Sequence, residues 1–196
     1  MKQFFKDAKG HLMTGIGYML PLIIGASLVV AIPKLIALCF GITSLDPYAD
    51  GTGVWHIMKL IENVGWTGIG MVNTVLAGFI AYSIADKPAI GAGFIGGAVA
   101  SSTYAGFLGA VIAAFIAGYT VKWAKKHIHL PESMGSVMPL VVCPLIATGF
   151  VAIIMGVILA TPLAAINTWL VNWISSMCQN QSSQLVMAMI LGAMIA

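Results

Sequence analysis

The sequence predicts an all-α polytopic membrane protein of about five to six spanning or re-entrant helices, with interfacial amphipathic helices and a last helix cut short at the C-terminus. Composition is the first observation behind this. Of 196 residues, 60% are hydrophobic and 8% charged, with no arginine. A soluble domain carries about 25% charged side chains to cover its outside. The second observation is the run of uncharged sequence over 63–85, 88–121 and 133–196. At about 1.5 Å per residue, roughly 20 apolar residues cross a hydrocarbon core. The third is that the few charges fall between these runs. The net charge of +3 is divided among loops, so it reports topology and not nucleic-acid binding.

Residues 1–12 place Lys2, Lys6 and Lys9 at helical spacing, with Phe5, Ala8 and Leu12 on another face. That pattern fits a cytoplasmic amphipathic segment on an anionic membrane surface, or a solvated basic tail. Its apolar continuation is too long for a signal peptide and contains Pro21. The first span is expected over 13–38, kinked at Pro21. The polar stretch with Asp46, Pro47, Asp50 and Gly51 carries acids against Lys59 alone and should be external. Trp55 and Trp66 stand as interfacial anchors. The second span, 65–85, returns the chain to the cytoplasm at Asp86-Lys87-Pro88.

The run 88–121 covers about 51 Å as helix, too little for two full crossings. A single crossing would put Lys122, Lys125 and Lys126 outside, against the positive-inside rule. The segment 89–121 is therefore expected to be a short glycine-rich helix pair, turning at Ser101-Ser102-Thr103 and either crossing thinly or re-entering. Gly93, Gly97 and Ser101 recur every four residues as a stripe for close helix contact.

A cytoplasmic loop is expected over 122–137, then a span over 138–159. An interfacial helix follows over 163–178, with Asn167, Thr168, Asn172, Ser175 and Ser176 on one face and Trp169 and Trp173 one turn apart. Residues 185–196 begin a further span, too short to cross, so the chain reads as the front part of a longer protein.

Few residues carry chemistry. Asp86-Lys87 reads as a capped interfacial ion pair, or as a corner orienting the glycine-rich helix beside a substrate path. Asn73, inside the second span, must hydrogen-bond a neighbouring helix or a substrate. His11 at the entry of the first span is a polar cap or a substrate contact. Gly91-Ala-Gly93-Phe-Ile-Gly96 matches a dinucleotide pattern, but no strand precedes it and no acid follows at the required distance. His127 and His129 have no further ligands nearby, and Cys39, Cys143 and Cys178 are scattered in apolar sequence. Asn180-Gln-Ser182 fits a glycosylation sequon, without meaning in a bacterial protein. No catalytic set, metal site or cofactor fingerprint is expected.

Three passages together carry a resemblance. They are His11-Leu-Met-Thr-Gly-Ile-Gly-Tyr-Met-Leu-Pro21; Ala77-Gly-Phe-Ile-Ala-Tyr-Ser-Ile-Ala-Asp-Lys-Pro88 with Gly93-Phe-Ile-Gly-Gly97; and Gly106-Phe-Leu-Gly-Ala-Val-Ile-Ala-Ala-Phe-Ile-Ala-Gly-Tyr119. Along essentially its whole length the chain resembles the N-terminal part of the membrane component, enzyme IIC, of the fructose-type sugar phosphotransferase system. Lys87 stands where that family usually has arginine, keeping the charge and losing the planar fork. The resemblance implies a multi-pass permease of the inner (plasma) membrane with a cytoplasmic N-terminus. It implies a transport subunit with no catalytic residue of its own, moving a fructose-like sugar for phosphorylation by a cytoplasmic phosphocarrier, IIB. It also implies a homodimer in membrane lipid. The expected substrate path is Asp86, Lys87, Asn73 and His11, and the expected docking surface is Lys122, Lys125, Lys126 and Glu132. Family members continue into an Asp-Met-Gly-Gly-Pro-Val-Asn-Lys passage and a Gly-Ile-Thr-Glu motif that carries a sugar-site glutamate. Neither occurs here. A half-protein needing a second chain, or an uncoupled sugar facilitator, are the alternatives.

Overall fold

The computed structural model describes residues 2–128 and 141–179, and among these residues there is no strand. Helix α1 (Lys2–Cys39) is followed by a 3-10 turn, Asp46–Tyr48, and by α2 (Val54–Gly70) and α3 (Val72–Ala85). Then come α4 (Lys87–Ser102), α5 (Gly106–His127) and α6 (Cys143–Ile153), the last running through a π-helical turn, Ile154–Leu159, into α7 (Ala160–Gln179).

Three segments are long and apolar enough to cross a membrane: Lys6–Cys39, Val54–Ala85 and Gly106–His127. Another is the bent pair Cys143–Leu159 and Thr161–Ser176, whose halves meet at 58°. Many large side chains face outward, Leu20, Ile24, Leu28 and Leu35 of α1 among them. The interior is built of small residues around Leu76, Ile80, Val121, Val151 and Met155. That is the packing lipid favours, since tails are as apolar as leucine and only close contact holds helices together.

Several boundaries differ from those the sequence predicts. No break separates 1–12 from 13–38: α1 runs undivided through Pro21 and Pro33. A proline removes one backbone bond, which a long membrane helix can absorb through its neighbours. The second segment able to cross starts at Val54 instead of 65, because α2 and α3 join at Met71 almost end to end. The turn of the glycine-rich pair lies at 103–105, two residues later than expected. Lys122, Lys125 and Lys126 belong to the end of α5 and not to a loop. Lysine is a good helix former, and cations complement the carbonyl end of the helix dipole. In α7 the rings of Trp169 and Trp173 stack 6.4 Å apart at 11°. His129, Glu132, the start of the 138–159 span, the sequon and 185–196 lie outside the described residues.

Side-chain pairs set the register. Helix α1 runs antiparallel to α2–α3, with Lys34 3.2 Å from Glu62 at one end and His11 2.7 Å from Ser83 at the other. Between Glu62 and Ser83 the helix rises about 32 Å, close to the thickness of a hydrocarbon core. Helix α4 folds back antiparallel on α3. A Cβ on Gly93 would lie 2.7 Å from the Ala77 carbonyl oxygen, and one on Gly97 2.5 Å from that of Asn73. Glycine is required at both, because the two backbones touch. One turn further on, Asn73 Nδ2 donates to Ser101 Oγ at 3.1 Å.

These contacts put the α4–α5 turn level with the α2–α3 junction, about 15 Å along the helix from Ser83. Two further irregularities share that level. Pro21 of α1 lies within about a turn of it, since Ala26 packs where a Cβ on Gly68 would stand. The π-helical turn reaches it through Met155, whose methyl lies 3.7 Å from a Cβ position on Gly109.

Candidate functional site

The corner at Asp86 closes α3 and opens α4 in one residue. Its amide donates to the Tyr82 carbonyl at 2.8 Å, and its carbonyl accepts from the Ala89 amide at 3.0 Å. Pro88 sits in the first turn of α4, where the missing N–H costs nothing. The reversal holds Asp86 at φ 61° and ψ −161°, a region that side chains rarely occupy and that costs about 1–3 kcal/mol.

Lys125 reaches into this corner from α5. Its Nζ donates to the Ala85 carbonyl at 2.6 Å and lies 3.7 Å from Asp86 Oδ2. It therefore satisfies the carbonyl end of α3 and balances the carboxylate at once. An open cleft of about 730 Å³ lies here, lined by Tyr82, Asp86, Lys87, Pro88, Gly91, Lys125 and Pro144. The Asp86 side chain is 84% exposed, so its carboxylate faces the cleft and not the core. Two ammonium groups and one carboxylate around open space can orient hydroxyls or an anion.

Of the residues the sequence nominates, Asp86 and Lys87 share this cleft. The ion pair recorded for Asp86 is to Lys125 and not to adjacent Lys87, which corrects the expected pairing: neighbours at a reversal diverge, while Lys125 comes from a packed helix. His11 lies at the same end, in a smaller cleft of about 420 Å³ with Lys6, Asp7, Gly10, Thr14 and Ser83. The His11 ring meets Ser83 Oγ, which also lies 3.5 Å from Thr14 Oγ1. Asn73 is not part of this end; it binds Ser101 about 15 Å along the helix from Ser83. Lys122 and Lys126 are exposed on the last turns of α5, while Glu132 lies outside the described residues.

Sequence reasoning missed a charged network at the opposite end. Glu62, 3% exposed, is held by Lys59 at 3.2 Å, Lys34 at 3.2 Å and Trp66 Nε1 at 3.0 Å. Lys59 also holds Asp46 at 2.6 Å, and Lys34 lies 5.3 Å from the Trp66 ring centre. Hydrogen bonds from Lys59 and then from Ser44 hold the Asp46 carboxyl below its usual range. The signal available was the Lys59-x-x-Glu62 spacing, which sets opposite charges on one helix face. Among the described residues no group of three or more acids, histidines or cysteines is arranged to hold a metal ion.

Comparison with known proteins agrees with the resemblance. The family model described as "Phosphotransferase system, EIIC" matches residues 13–196. The fructose-specific EIIABC component of the phosphotransferase system from Bacillus subtilis is 36% identical over 95% of this chain and 28% of its own length. The fructose-like permease IIC component 2 of Escherichia coli is 33% identical over 99% of this chain and 51% of its own. The Escherichia coli EIIABC component specific for 2-O-alpha-mannosyl-D-glycerate is 34% identical over 99% of this chain and 29% of its own. The chain thus spans about half or less of the length of these relatives. No solved structure matches it significantly. With apolar helices that can cross a membrane and a family match over nearly its whole length, this chain belongs to the phosphotransferase system EIIC family.

Proposed function

We propose that the protein is the membrane permease component of a phosphoenolpyruvate-dependent sugar phosphotransferase system. It translocates a fructose-like sugar for phosphorylation by a cytoplasmic IIB partner. The observation that carries this reading is the EIIC match over 13–196, together with relatives whose names specify fructose. The sugar is less firmly constrained than the class, since a relative of equal similarity takes a mannosyl-glycerate.

The end bearing His11, Asp86 and Lys125 is the cytoplasmic one in this reading, in the inner membrane, with the N-terminus inside. Lys87, Lys122, Lys125 and Lys126 gather there, as the positive-inside rule requires. The Asp46–Glu62 end faces outward. Asp86 and Lys87 shape the inner end of the sugar path, with His11 beside them and Asn73 deeper in. Lys122 and Lys126, with Glu132, are the docking surface for IIB, while Lys125 divides its charge between that surface and the corner. IIB is fused to the membrane component in several relatives, as their names record, so a short-range encounter between the two is expected. The protein works as a homodimer in membrane lipid.

The test is uptake of labelled D-fructose into right-side-out vesicles holding the native protein, loaded with the soluble phosphotransferase components. Accumulation as the sugar phosphate, dependent on phosphoenolpyruvate, is expected. Entry of unmodified sugar at the same rate without phosphoenolpyruvate would overturn the reading.

A further inference from the structure

The α4–α5 turn carries the exposed Ser102 and Tyr104 and lies about midway along α2–α3 between the levels of Glu62 and Ser83. Asn73 ties Ser101 to α3 about 15 Å along the helix from Ser83, and Glu62 lies about 17 Å further on. Past Ser102 the chain leaves helical geometry: Tyr104 has φ 58° and Gly106 φ 61°. The Val99 carbonyl at the end of α4 accepts from the Thr103 amide and from the Ser102 and Thr103 hydroxyls, and the Ser101 carbonyl from the Tyr104 amide, while the first amides of α5 need partners outside their helix. Asn167 of α7 serves the turn between them, its Nδ2 donating to the Tyr104 carbonyl at 3.0 Å. Nevertheless Tyr104 is 77% exposed, and Ser102 is exposed beside it.

Irregular backbone at membrane depth persists only where protein buries it or where it lines a watery cavity. The described protein buries Ala105 but leaves Ser102 and Tyr104 exposed. Ser102 Oγ already donates to the Val99 carbonyl at 3.0 Å, so among the described residues hydrocarbon would strand the Tyr104 hydroxyl and the Ser102 and Thr103 carbonyls, at several kcal/mol each on the general scale. Helices α4 and α5 both reach the turn from the Asp86–Lys125 end, so their packed bodies close it on that side. What remains open is the direction of the Asp46–Glu62 end.

We infer that the α4–α5 turn is a re-entrant tip forming the floor of a water-filled vestibule open toward the Asp46–Glu62 end, and that the vestibule takes a polyhydroxylated solute. Tyr104 supplies a hydroxyl that both donates and accepts, Ser102 Oγ, which donates to Val99, still accepts, the turn supplies carbonyls, and the exposed Tyr104 ring supplies an amphipathic face. These are groups a sugar can exchange for water without net loss of hydrogen bonds. The identity of the solute rests on the permease reading; the vestibule itself does not.

The test is thiol accessibility in sealed native-membrane vesicles. Ser102→Cys and Tyr104→Cys are placed separately in protein whose Cys39, Cys143 and Cys178 are replaced. Asp50→Cys and Lys126→Cys mark the two faces. Both turn positions should react with a small charged methanethiosulfonate from the face that modifies Asp50→Cys. They should resist a bulky polyethylene-glycol maleimide that modifies Asp50→Cys freely, and D-fructose should slow the small reagent several-fold at the turn without affecting Asp50→Cys. No reaction from either face, or reaction only from the Lys126→Cys face, would overturn the vestibule. Reaction with the bulky reagent at the Asp50→Cys rate would do so too, since the hairpin would then cross fully. A rate unchanged by fructose, in vesicles that still take fructose up, would overturn the solute assignment. Wild-type vesicles without fructose uptake would overturn the permease reading and the solute together, while labelling face and reagent size still decide the vestibule.

Discussion

Asp86 and Lys125 come from different helices and meet 3.7 Å apart at the α3–α4 corner, with the same lysine capping the Ala85 carbonyl at 2.6 Å. Replacing Lys125 therefore removes a helix cap as well as a charge, whereas Lys126 is exposed on the same turn. Lys125→Met is expected to lower the maximal uptake rate several-fold, beyond any loss of affinity for IIB. Lys126→Met should instead weaken IIB affinity about two- to fivefold, in a salt-dependent way, as exposed charges do. Equal kinetic signatures for the two variants would show that Lys125 has no role at the corner.

Close approach of α3 and α4 gives a stability prediction. Gly97→Ala brings a methyl within 2.5 Å of the Asn73 carbonyl oxygen, and Gly93→Ala one within 2.7 Å of that of Ala77. Each should destabilise the protein by about 1–3 kcal/mol through overpacking. Gly91→Ala meets nothing within 4 Å and should be neutral or stabilising by roughly 0.5–1 kcal/mol. Thermal unfolding in detergent ranks the three, and equal midpoints would contradict this helix contact.

The buried network at the opposite end should behave as a unit. Glu62→Gln leaves Lys59 and Lys34 facing a neutral group in a site where Glu62 is 3% exposed. The loss should be about 1–3 kcal/mol, below that of a fully buried pair, because Lys59 keeps Asp46 and Lys34 is half-exposed. Combining Glu62→Leu with Lys59→Met should restore part of it. A double variant as unstable as the sum of its singles would mean the charges do not interact.

Asp46 lies outside the spans, and Lys59 lowers its pKa in the folded protein. A depressed carboxylate adds stability above its unfolded pKa, and that contribution is lost as pH falls through the folded value. The thermal midpoint should thus decline on the acid side below the ordinary aspartate range, with Asp46→Asn flattening part of the decline. Identical acid limbs would remove Asp46 from the account.

The fold class was legible because composition and uninterrupted apolar length are properties of the chain itself. The corner was legible as well, since an acid, a base and a proline in sequence at the end of an apolar run admit few local structures. The partner of Asp86 was not legible: Lys125 is distant in sequence and looks like its neighbours Lys122 and Lys126 until α5 packs against α3. The continuity of α1 was hidden because a basic tail and an apolar span share helical spacing and differ only in surroundings. The level of the α4–α5 turn along α3 was not legible, because only the contact between Asn73 and Ser101 fixes that register. The Lys59–Glu62 network was visible as spacing but lay in a stretch read as an external loop.

The most direct test of the corner's role in transport is the rate of phosphoenolpyruvate-dependent fructose uptake by Asp86→Asn, normalised to the amount of protein in the membrane. The substitution keeps the shape of the side chain, and Lys125 retains its bond to the Ala85 carbonyl. Uptake reduced at least about tenfold with wild-type membrane content is expected, the size of effect about 1.4 kcal/mol produces. Uptake at the wild-type rate would contradict a role for this corner in transport.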